Sequence, residues 1–128
     1  SQNARIRVKE ALAKGYTLIS VDIALAEALN ALWKHTRIHR DLNAEETLRA
    51  AEDLHLLWDR LRIIPGREVS MDALRIAIEL GLSIYDSLFL AASRKTMSTL
   101  YTADKKLHEA SKDIFDSELL KEASTTHI

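Results

Sequence analysis

Three carboxylates in this chain stand where charge is costly. Glu27 is the only charged residue between Ile23 and Trp33. Its helical neighbours at three and four positions are Ile23, Ala24, Asn30 and Ala31, so no Lys or Arg on the same helix can pair with it. Asp86 repeats the pattern as the sole charge in Ile84–Ala92. Asp104 follows the β-branched and aromatic run Thr99-Leu100-Tyr101 and opens the next helix. Singly, each has a plain reading. Ser83 and Asp86 have capping-box spacing, and an acid in a first helical turn suits the helix dipole. Together they carry more. The strand-to-helix turns of a parallel sheet share one edge, where ligands bind. Three acids on that edge would raise one another's pKa values unless a divalent cation joined them. All-oxygen ligands point to Mg²⁺ or Mn²⁺, a site able to activate water and stabilise charge on a displaced phosphate.

The elements that must position these acids follow from pattern. Apolar residues at helical spacing end a first helix near Lys14, with Gly15 as its left-handed cap. Thr17–Val21 reads as a strand, and Asp22 as the cap of a nearly all-apolar helix from Ile23 to about Ile38. Asn43 with Glu46 predicts a capping box for the next helix, and Leu61–Ile64 a second strand closed by Pro65-Gly66. Ser70 is expected to cap a helix to Leu80, and Ser83 one from Ile84 to about Lys95. Thr99–Tyr101 is a third strand, a helix runs from about Ala103 to Ser111, and Ile114-Phe115 is a last short strand. Helices between strands predict an α/β protein, a three-layer sandwich with a mainly parallel sheet. One domain over residues 1–128 is expected, with a loose tail from about residue 122.

Composition excludes several classes. The chain has 128 residues and a formal net charge of −1, with 47% apolar and 29% charged residues, so disorder is excluded. It lacks Cys, which removes disulfide scaffolds and thiol nucleophiles. No apolar run of about 18 residues occurs, so no membrane partner is expected, and a cytoplasmic location is the default. The glycines Gly15, Gly66 and Gly81 form no phosphate-cradling loop. His35 and His39 have zinc-pair spacing but lack the third ligand.

Ser20–Asn30, Leu82–Ala92 and Leu100–Leu107 together resemble the motifs of PIN domains, the ribonuclease fold of VapC-type toxins in toxin–antitoxin pairs. The resemblance covers nearly the whole chain. It implies that Glu27, Asp86 and Asp104 hold Mg²⁺ or Mn²⁺ and its attacking water for RNA cleavage, with Thr102 beside them. It also implies an RNA substrate, an antitoxin partner and a homodimer. PIN domains begin with a central strand that carries another essential Asp. That strand is expected to be missing ahead of Ser1, which would open a gap in the fold. Asp22 matches no such position. This chain is therefore expected to be a poor nuclease.

Lys34–Arg40 carries cations at a helix C-terminus, which suits the dipole and also offers Arg37 and Arg40 to RNA phosphates. Lys105 and Lys106, beside Asp104, are candidates for guiding a phosphate. Trp33 and Trp58 are expected to fill the core or join helices. The alternative function is a non-catalytic PIN-like module that binds RNA or protein. A different Mg²⁺-dependent phosphoryl enzyme is a third.

Overall fold

The computed structural model describes residues 2–102 and 104–119. The expected start at Ser1 and the tail from residue 122 lie outside the described residues. The chain runs α1 (Gln2–Ala13), β1 (Ile19–Val21), α2 (Ile23–Arg37), α3 (Ala44–Trp58), β2 (Arg62–Ile64), α4 (Gly66–Leu80), α5 (Ile84–Thr96), β3 (Leu100–Thr102), α6 (Lys105–Ser111) and β4 (Ser117–Leu119).

Local chemistry sets most of these boundaries. Asn43 accepts the Glu46 N–H at 2.8 Å, and its own N–H donates to Glu46 Oε1 at 3.0 Å, completing the capping box of α3. Gly81 ends α4 at φ 68°, a conformation that glycine adopts without steric cost. Ser83 caps α5 by accepting the Asp86 N–H at 3.1 Å. Two expected boundaries moved. Helix α4 starts at Gly66 after Pro65, not at Ser70, whose hydroxyl instead donates to Arg67 O at 3.0 Å inside the helix. The last strand is Ser117–Leu119, while Phe115 is buried in the core.

Among the described residues all strand pairing is parallel, as expected, but the sheet is not continuous. β1 pairs β2 in the register Ile19↔Arg62, Ser20↔Ile63, Val21↔Ile64. β3 pairs β4 as Leu100↔Ser117, Tyr101↔Glu118, Thr102↔Leu119. Among the described residues these are two separate pairs. Helix α5 packs against both β1 and β3 and joins them.

The core is centred on the α4–α5 contact. α4 buries Val69, Ala73 and Ile76, one face at helical spacing. α5 buries Leu90 together with Ser87, Ala91, Ala92 and Ser93, whose small side chains let its neighbours approach closely. Val21, Ile64, Leu107 and Phe115 complete the cluster. α2 and α3 form an outer pair with no fully buried residue. The Thr36 and Thr47 hydroxyls bond to each other between them. Among the described residues, no single helix is long and apolar enough to cross a membrane.

Candidate active site

Each expected site residue has a definite place. Asp86 is the third residue of α5 and half-buried. Asp104 is exposed at the N-cap of α6, where its Oδ1 accepts the Leu107 N–H at 3.2 Å. The Asp104 N–H donates to Thr102 Oγ1 at 3.0 Å, so Thr102 orients the turn that carries the acid. Lys105 and Lys106 are exposed as the first residues of α6. Glu27 lies in the second turn of α2 and is exposed. The sequence pattern made Glu27 a charge on a buried helix. The structure corrects this, because α2 lies outside the core and holds Glu27 in solvent.

The elements that carry these acids meet around one helix. A methyl group at Gly66 would lie 3.2 Å from Asp22 Oδ1 and 3.8 Å from both Val21 and Leu88. Leu88 of α5, two residues after Asp86, therefore stands near the C-terminal end of β1, where the chain enters the helix of Glu27. From the end of α5 the chain turns into β3, which packs back along α5 and leads to Asp104. Asp104, Thr102, Lys105 and Lys106 are neighbours by sequence. Arg37 and Arg40 lie at the far end of α2, with Arg37 about 15 Å along the axis from Glu27 at 1.5 Å per residue.

The donor chemistry suits a hard divalent cation, being carboxylate oxygen throughout. The arrangement does not close round one. Among the described residues, no group of three or more His, Cys, Asp or Glu side chains is placed to hold a metal. The same holds for His35 and His39. Their rings lie 5.4 Å apart, and His35 Nδ1 is 3.0 Å from both oxygens of Asp41. Near Asp104, Glu109 and Lys112 form an exposed pair at 2.8 Å. The hydrogen bond to Lys112 and its charge hold the Glu109 carboxyl below its usual range, and Glu109 raises Lys112.

Two residues were misread from sequence. Asp22 stands at the N-cap position of α2, as read, but its side chain makes no capping bond there. It accepts the Gly66 N–H at 3.1 Å and so caps α4. The long-range partner left no local signal, although Pro65-Gly66 could have been read as a helix start. Trp33 is 52% exposed and does not fill the core. Its position at the edge of the apolar row of α2, beside the polar face, was the missed signal.

Comparison with known proteins agrees with this fold. The PIN domain family model matches residues 1–113. The chain is 30% identical to Ribonuclease VapC3 of Pyrobaculum aerophilum over 103 residues, which cover 80% of this chain and 78% of that protein. It is 27% identical to Exonuclease VapC9 of the same organism, over 80% of this chain and 74% of the relative. The crystal structure of PAE2754 from Pyrobaculum aerophilum superposes with a TM-score of 0.64 at 24% identity, covering 80% of this chain and 70% of that one. Parallel strands joined by helices, acids at the helix entrances and the family match agree: the chain belongs to the PIN-domain family and is of the VapC type.

Proposed function

We propose that the chain is the nuclease component of a cytoplasmic toxin–antitoxin pair, cleaving RNA phosphodiester bonds with Mg²⁺ or Mn²⁺. Glu27, Asp86 and Asp104 are the metal-holding acids in this reading. Thr102 orients the Asp104 turn, and Lys105 and Lys106 draw a phosphate toward it. The bound cation would supply an activated water and offset charge on the phosphate. The supporting observation is that α5, with Asp86 in its first turn, packs against β1 and β3, the strands that lead to Glu27 and Asp104. The relatives named ribonuclease and exonuclease support the same chemistry. An antitoxin and a second copy of the chain are the protein partners.

The exposure of Glu27 and Asp104 favours a second reading, a module that binds RNA or protein without cutting. Calorimetric titration with Mn²⁺, on the wild type and Asp86→Asn, separates the two. Binding that falls sharply in the variant supports the nuclease. Absence of Mn²⁺ binding in both, with RNA still bound, supports the module.

A further inference from the structure

Helix α2 has two faces of different chemistry. Leu25, Ala28, Leu29, Leu32 and Thr36 are half-buried on the side that packs on α3. Glu27, Asn30, Lys34 and Arg37 are all exposed. Their spacing of three, four and three residues places them in one row along the opposite face. Trp33 flanks that row, three residues from Asn30 and four from Arg37, with 52% of its surface exposed.

Nothing inside the described chain accounts for this row. Asn30 sits in mid-helix, where Asn is a poor helix former, and no cap or hydrogen bond among the described residues uses its amide. Lys34 and Arg37 have no carboxylate partner among the described residues. An exposed indole beside two unpaired cations is the combination that binds a single strand, one part stacking a base and the other contacting phosphates.

We propose that the outward face of α2 is a platform for unpaired RNA, leading away from Glu27. Trp33 stacks one base. Lys34 and Arg37 contact the phosphates on either side, and the Asn30 amide hydrogen-bonds the stacked nucleotide. Only an unpaired base can reach the indole face, so the substrate is a single strand or a loop and not a duplex. This inference rests on the RNA reading above.

The test uses the whole chain in EDTA, with an unstructured oligouridylate of about ten nucleotides as probe. The chain has two Trp residues, so Trp58→Phe leaves Trp33 as the only indole. The oligonucleotide should quench its emission, and duplex RNA of equal length should not. Trp33→Ala should weaken binding about ten-fold, and Trp33→Phe should restore part of it. Lys34→Ala should lower the slope of log affinity against log salt by about 0.7, and Arg75→Ala, on α4, should leave it unchanged. Asn30→Asp should weaken binding without reducing that slope as Lys34→Ala does. If the wild type binds but Trp33→Ala and Lys34→Ala bind as well, the platform is wrong and the nuclease reading stands. If the wild type binds no RNA in EDTA, the platform is wrong, and the Mn²⁺ titration decides the nuclease reading separately. If Trp33 becomes shielded as protein concentration rises without RNA, a second copy covers this face and the proposal is overturned.

Discussion

Asp22 Oδ1 accepts a hydrogen bond from the Gly66 N–H at 3.1 Å, across 44 residues of sequence. The bond joins the end of β1 to the first residue of α4. A carboxylate there satisfies one of the free N–H groups of α4 and meets the positive end of its dipole. Asp22 is thus the acid that ties the entrance of α2 to the entrance of α4, beside Leu88 of α5. Asp22→Ala should cost about 1 kcal/mol in urea denaturation. Gly66→Ala should be less favourable in the wild type than in Asp22→Ala, because its methyl group would lie 3.2 Å from Asp22 Oδ1. A double-mutant cycle should show coupling of about 0.5–1 kcal/mol. Simple additivity would show that the contact carries no energy.

Asp104 caps α6 and is also a proposed metal ligand, and two variants separate those roles. Asn caps a helix about as well as Asp. Asp104→Asn should therefore keep the melting temperature within a degree or two while abolishing metal-dependent RNA cleavage. Asp104→Ala should lose both, with about 1 kcal/mol of stability. Retained cleavage in Asp104→Asn would remove this residue from the site.

Ser87 is fully buried on α5, and its hydroxyl has no hydrogen-bond partner among the described residues. A buried unsatisfied hydroxyl costs about 1–3 kcal/mol. Ser87→Ala should raise the urea midpoint by an amount equal to about 1 kcal/mol. A loss of stability would mean that the hydroxyl is satisfied by a group outside the described residues.

Met97 ends α5 at φ 51° and is 93% exposed. An L-residue in the left-handed region carries strain of about 1–2 kcal/mol, whereas glycine carries almost none. Met97→Gly should stabilise the chain, read as a higher melting temperature in a thermal scan. An unchanged or lower melting temperature would locate the strain elsewhere.

Much of the fold was legible because its signals are local. The Asn43–Glu46 box, the Ser83 cap and the Gly81 stop depend on groups within four residues, and all three stand as read. The Thr102–Asp104 bond is equally local, spanning two residues. The start of α4 was misplaced because Ser70 resembles a cap, while the true cap comes from Asp22 across the sheet edge.

By itself the sequence determined the helices and their caps, the parallel character of the strands, and the identity of the acids and cations available for chemistry. These follow from periodicity, capping chemistry and side-chain type, which act over a few residues. Tertiary structure alone decided which helix Asp22 caps, that α2 stays outside the core with Glu27 and Trp33 in solvent, and that the strands form two pairs bridged by α5. Burial and long-range hydrogen bonding depend on which faces meet. An apolar helix such as α2 reads the same whether one side or every side is covered.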